Sequence, residues 1–480
     1  MSDNLAQGFL EDITAHPDDD ASRLIFADWL EEQGDSARAE FIRVQIERAR
    51  LPRWDARQTR LLLREHELLG QHGQKWKAEL PSIQGICWEN FRRGFVATAT
   101  FSDFSVLRAN AKACWMAAPI EAISVCRHPR RPPIAKIAPI AGLRELSLLG
   151  GSINRRDIDR IADAPLLSTL RSLDLVNSME AEGFRRLSAS PHLGNLTALW
   201  APLNSIGNGG VRALIDADFL TSLEKLNLSR EYHYNRYGED EAAGLEALAS
   251  WPGETRLRSL WLMGNAVGRD GLRALLRSPF AIGLKELILR ENGLNGLAMR
   301  EFGTARPELQ LDELDLSGNL VTDLGAAELA SAPCLRELKL LRLASCRIQL
   351  SGARRLAEAP FLGGLRALNV IDNRFGPEGL RAILEQKPQK LYALYMAANE
   401  LGDEGVKHLA ESPGSDTLQV VNLARNGLGG RAAEVLAMSK HLRNLLDLRL
   451  DSNPIDKLAA VVLRDSTLGK RLARLEMPAD

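Results

Sequence analysis

The side chains able to do covalent or acid–base chemistry are few and scattered. Five cysteines, Cys87, Cys114, Cys126, Cys334 and Cys346, lie far apart and form no C-x-x-C pair. That usage reads as reduced thiols in a cytosolic-type compartment, not as a disulfide frame or a zinc knuckle. The eight histidines include no i, i+4 pair for a metal. There is no G-x-x-x-x-G-K-[ST], H-E-x-x-H, G-x-S-x-G or EF-hand loop. Gly207, Gly209 and Gly210 do not make a phosphate cradle. Asp28, Glu31, Glu32 and Glu40 are near enough in sequence to suggest paired carboxylates. Their spacing fits a solvated helix face with capping acids, which is the reading adopted. Cys346 and Cys114 fall at apolar positions and read as structural. The expectation is no enzyme, no metal and no cofactor, which leaves recognition.

The side chains suited to recognition are large and fall at regular intervals. Trp200, Pro202, Trp261, Met263, Ile288, Arg342, Tyr395 and Arg449 are the candidate contact residues. Tyr232, His233, Tyr234 and Tyr237 form a second group, holding three of the five tyrosines of the chain. Aromatic and arginine side chains dominate binding energy at protein interfaces when a scaffold holds them outside its core. What holds them is the pattern Leu311-Asp-Glu-Leu-Asp-Leu-Ser-Gly-Asn-Leu-Val, of the form L-x-x-L-x-L-x-x-N. Its first leucine recurs at 143, 170, 196, 223, 257, 284, 311, 338, 365, 391, 418, 445 and 472, mostly 27 residues apart. The bend residue is Asn204, Asn265, Asn292, Asn319, Asn373, Asn399, Asn426 or Asn453, with Cys346 substituting once. A glycine follows six residues later in several units, among them Gly271, Gly325, Gly352, Gly379 and Gly405, and opens a helical pattern.

Each unit therefore reads as a short strand, a turn made by the asparagine and a helix. One unit cannot bury its own leucines, but stacked units share a continuous core. The asparagine is expected to satisfy backbone groups where the chain leaves the strand. Strands stack at about 4.8 Å and helices need about 8–10 Å, so the helix side splays and the strands line a concave face. Alternation points the second and third leucines into the core and the residues between them onto that face. This puts Trp200, Trp261, Ile288, Arg342, Tyr395 and Arg449 in one column and Pro202 and Met263 in the next. The alternative is that some of these rings pack along the sheet or against the N-terminal region.

Residues 143–480 resemble the leucine-rich repeat, in the long-repeat form of ribonuclease-inhibitor-like proteins. The resemblance implies an α/β solenoid: a horseshoe with parallel strands on the concave face and helices on the convex face. One unit, starting at Leu223, is 34 residues long, and its excess lies in residues 231–241 with the tyrosine group. Insertions in repeat proteins map to loops, often on the binding face. A locally folded loop is the competing reading, and both stay open. The last unit stops before its bend, so local packing or a partner is expected to cover the end of the core.

Ahead of the array, residues 1–52 read as three amphipathic helices broken at Pro17 and Gly34. The run Ala27-Asp-Trp-Leu-Glu-Glu-Gln-Gly-Asp-Ser-Ala-Arg-Ala-Glu-Phe-Ile resembles a repeat-companion domain found in planctomycetes and myxobacteria. That implies a small α-helical N-terminal domain and a bacterial source. Residues 53–142 read as a helix followed by a strand over 88–101, a helix over 103–117 and a strand over 122–126. This is an atypical first unit capping the solenoid, with a stiff basic connector at 128–133.

A net charge of −1 argues against broad binding to nucleic acid or anionic lipid. No signal peptide or membrane-length apolar run is present, so a cytoplasmic location is expected. The leading functional expectation is a non-catalytic scaffold binding a partner protein on the concave face, as a monomer or with weak self-association. The alternatives are a regulator of an enzyme in trans, GTPase-activator-like or inhibitor-like, and a self-assembling scaffold.

Overall fold

The computed structural model describes residues 2–127, 133–149, 155–176, 181–203, 207–229, 248–251 and 255–478. Asn204, the connector residues 128–132, and Tyr232, His233, Tyr234 and Tyr237 lie outside the described residues. The chain forms two compact units, Met1–Glu231 with Gly253–Leu257, and Tyr232–Pro252 with Arg258–Asp480.

The first unit opens with four helices: α1 (Ser2–Ala15), α2 (Ala21–Glu32), α3 (Ser36–Arg50) and α4 (Arg57–Ala78). Asp35 caps α3 by accepting the Arg38 N–H at 3.1 Å. Ile13, Phe26, Ala27, Ala39, Ile42 and Ile46 make the helical core, and Phe95 from beyond α4 packs into it. The Arg38 guanidinium lies 4.7 Å from the Trp76 ring and 5.1 Å from that of Phe91, and burial pushes its pKa down to about 10. The early carboxylates are charge-paired on the surface. Arg43 binds Asp28 and Glu31, both at 2.6 Å, and Arg64 binds Glu40 at 2.7 Å.

The continuous strand expected over 88–101 is broken up. It forms β1 (Ile86–Trp88), β2 (Phe91–Arg92), β3 (Phe95–Val96) and β4 (Thr98–Asp103). The reason is a two-residue turn with positive φ at both Arg93 (49°) and Gly94 (91°), which folds β2 back onto β3. A Cβ on Gly94 would meet Ile42 Cγ1 at 2.3 Å, so this hairpin seats against α3 only with glycine there. β1 runs antiparallel to β4. From β4 onward the strands are parallel: β5 (Ala122–Arg127), β6 (Glu145–Leu148), β7 (Ser172–Asp174), β8 (Ala198–Trp200) and β9 (Lys225–Asn227). The helix joining β4 to β5, α5 (Phe104–Ala117), is capped by Asp103.

Among the described residues, the second unit holds nine strands in sequence order: β10 (Ser259–Trp261), β11 (Glu286–Ile288), β12 (Glu313–Asp315), β13 (Leu340–Arg342), β14 (Ala367–Asn369), β15 (Ala393–Tyr395), β16 (Val420–Asn422), β17 (Asp447–Arg449) and β18 (Arg474–Glu476). All are parallel and in register at the repeat spacing. From β10 to β17 their central residues, such as Leu260, Leu341 and Leu448, are at most 2 % exposed. Helices such as Thr322–Ser331, Leu350–Ala357 and Gly402–Glu411 lie between successive strands. Stacking the first turns is tight: a Cβ on Gly325 would meet Met299 Cγ at 2.8 Å and Gly296 Cα at 3.1 Å. This is a leucine-rich-repeat α/β solenoid with an N-terminal helical region.

The bend asparagines link one repeat to the next. Asn319 Oδ1 accepts the N–H of Asn292 at 2.9 Å and of Leu294 at 3.0 Å, while its Nδ2 donates to the carbonyls of Leu289 and Leu316, both at 2.8 Å. Asn399, Asn426 and Asn453 continue the ladder in the same way. At Cys346 the thiol donates to the Leu316 carbonyl at 3.3 Å. The residue before the bend is left-handed throughout: Glu291, Ser345, Asp372, Ala398, Arg425 and Ser452 have φ of 54° to 57°, and Gly264 and Gly318 fill the same position.

Candidate functional site

Strand register decides which candidate residues share a surface. In the second unit, Trp261, Ile288, Asp315, Arg342, Asn369, Tyr395, Asn422, Arg449 and Glu476 stand opposite one another, strand to strand. From Trp261 to Arg449 each follows a buried central residue, so this row lies on the face away from the leucines. In the first unit the row is Ser124, Ser147, Asp174, Trp200 and Asn227. Trp200, with half-buried Pro202 beyond it, therefore belongs to one unit, and Trp261, Met263, Ile288, Arg342, Tyr395 and Arg449 to the other.

Trp261 is half-buried and its indole N–H donates to Ser259 Oγ at 3.0 Å. Ser259 in turn donates to Glu286 Oε2 at 2.9 Å. This chain fixes the ring's orientation, so ordering it on contact costs little side-chain entropy. Met263 is half-buried beyond the strand end. Ile288 is 6 % exposed and presents little surface to a partner.

The polar members of the row have a local role that the sequence did not reveal. Asp315, Asn369 and Asn422 each accept the N–H two residues on, at 2.9, 3.1 and 3.0 Å, and Asn227 does the same in the first unit at 2.8 Å. These bonds tie the strand's exit to its last residue. The two arginines sit over acids. Arg342 pairs with Glu313, whose side chain is 1 % exposed. Arg449 donates to both oxygens of Asp447, at 3.3 and 3.2 Å, and approaches Glu476 at 3.8 Å.

Between them Tyr395 packs on a floor of buried Ala367, Ala393 and Val420, edged by Leu340 and Tyr392. Burial pushes the Tyr395 phenol above its ordinary pKa, with Arg449 and Arg342 pulling the other way. It is therefore protonated at neutral pH. The floor comes from the column two residues ahead of the row, and its small residues were the signal that could have found it. In the first unit, Ser147 donates to Asp174 at 3.2 Å, and burial holds that carboxyl above its usual range.

The buried thiols of Cys114, Cys334 and Cys346 are pushed up to about 11, 12 and 12 by desolvation and stay protonated. Among the described residues no three His, Cys, Asp or Glu side chains converge on a metal position. No described helix is long and apolar enough to cross a membrane.

Residues 365–384 match the family model described as Leucine Rich repeat. No curated protein sequence matches the chain. Among solved structures it is similar to that of the Rad7 and Elc1 complex in yeast, at 14% identity and a TM-score of 0.48 over 94% of each chain. It is also similar to an internalin (inlF) from Listeria monocytogenes, at 19% identity and a TM-score of 0.38, over 72% of this chain and 85% of the other.

Proposed function

We propose that the protein is a non-catalytic scaffold that binds a partner protein on its strand face, with the second unit supplying the principal contacts. The observation that carries this reading is Trp261: a large ring outside the leucine layer, held in place by Ser259 and Glu286. Preorganised aromatic side chains on a rigid sheet are what interface anchors need. Met263, Arg342, Tyr395 and Arg449 extend that surface, and Trp200 and Pro202 give the first unit its own. We read helices α1–α3 as the repeat-companion module of a bacterial protein, working in a reducing, cytoplasmic-type compartment.

The test is capture of partners from the native cell with wild-type protein and with Trp261→Ala. The variant should lose the captured proteins while keeping the circular dichroism and melting of the parent. Identical capture by both would overturn the assignment of this face.

A further inference from the structure

In the row of the second unit, Asn369 and Asn422 use Oδ1 to accept backbone N–H groups. Their Nδ2 groups must then point the other way, and no acceptor meets either among the described residues. Arg342 and Arg449 flank them, each side chain 29 % exposed, with the guanidinium carrying more donors than its acid uses. Tyr395 stands in the middle with a protonated hydroxyl. Five consecutive strands thus present donors: Arg342, Asn369, Tyr395, Asn422 and Arg449. The acids beneath, Glu313 and Asp447, are 1 % and 8 % exposed and meet a visitor only through the arginines. Asp315 and Glu476 bound the run on either side.

We propose that this stretch binds an extended acidic peptide segment, laid across the strands so that its carboxylates meet Arg342 and Arg449 and its carbonyls meet the central donors. This deepens the partner-binding reading above and rests on it. Acceptors on the ligand complement a face of donors, whereas a basic segment would find no exposed carboxylate within the run. Four strand steps of about 4.8 Å span about 19 Å, which is about six residues of extended chain between the two carboxylates.

The test is selection of a displayed random peptide library on the full-length protein, followed by affinity measurement on Asn369→Asp/Asn422→Asp. Aspartate keeps the oxygen that caps the turn, as Asp315 does at 2.9 Å, but turns a donor into a negative acceptor. The single Asn422→Asp serves if the double variant melts early. Retained peptides should be rich in Asp or Glu pairs about six residues apart, and the variant should bind them at least about tenfold more weakly. Peptides without acid enrichment, unchanged affinity on the variant, or an empty selection would each overturn the proposal. None of these outcomes touches Trp261, whose capture experiment tests the broader reading separately.

Discussion

The guanidinium of Arg342 on β13 pairs with Glu313 on β12, a carboxylate whose side chain is 1 % exposed. An ion pair of this kind gains little over a well-packed apolar pair, but breaking it from one side leaves a buried charge uncompensated. Arg342→Gln should therefore destabilise the protein by about 2–3 kcal/mol. Adding Glu313→Gln to it should recover more than half of that loss. Chemical denaturation of the wild type, both single variants and the double variant measures the coupling. Additive losses would show that the pair is not coupled.

The asparagine ladder has one weak rung. At Cys346 a thiol stands where the neighbouring repeats place a carboxamide oxygen. By analogy with Asn319, an asparagine there would accept the N–H groups of Asn319 and Val321 and still donate to the Leu316 carbonyl. Cys346→Asn should raise stability by about 0.5–1.5 kcal/mol, seen as a higher melting temperature. A lower melting temperature would mean that the site is too tight for the carboxamide.

Ala398 holds a φ of 54° immediately before Asn399. A Cβ in the left-handed region costs about 1 kcal/mol, and Gly264 and Gly318 avoid that cost at the same position of other repeats. Ala398→Gly should be neutral to stabilising, by up to about 0.5 kcal/mol, because the flexibility it adds to the unfolded chain cancels part of the gain. The same change at a helical alanine such as Ala353 should cost about 1 kcal/mol. In thermal melts Ala398→Gly should stay level with the parent or rise, while Ala353→Gly should fall.

Glu301 is 4 % exposed and accepts from Arg269 at 2.8 Å and Arg273 at 3.0 Å. Hydrogen bonding to Arg273, then to Arg269, holds its carboxyl below the ordinary 4.5 against an opposing desolvation cost. A depressed folded pKa gives stability that is present above the unfolded value and lost as pH falls through the folded one. Glu301→Gln should thus cost about 1–3 kcal/mol at neutral pH. The gap to wild type should close only as pH drops below about 4.5. Denaturation at neutral and acid pH checks this, and a gap independent of pH would contradict it.

By itself the sequence determined the repeat, its strand, bend and helix, and the side of the strand each residue takes. Those follow from local rules: leucine spacing, the bend asparagine and the alternation of side chains along a strand. Hence Trp261, Arg342, Tyr395 and Arg449 were legible as members of one row outside the leucine layer. The tertiary structure alone decided what surrounds them. Glu313 lies under Arg342, Asp447 beside Arg449, Ser259 and Glu286 behind Trp261, and alanines beneath Tyr395, while Ile288 is left with little exposure. Glu313, Glu286 and Ala367 sit about one repeat away in sequence and one strand away in space, so no local pattern names them, whereas Asp447, Ser259 and Ala393 lie two residues away on the same strand, where only the packing shows what they do. The hairpin at Arg93 and Gly94 escaped for a related reason. Its residues have the composition of a strand, and only the fit of Gly94 against Ile42 on α3 shows why the chain turns there.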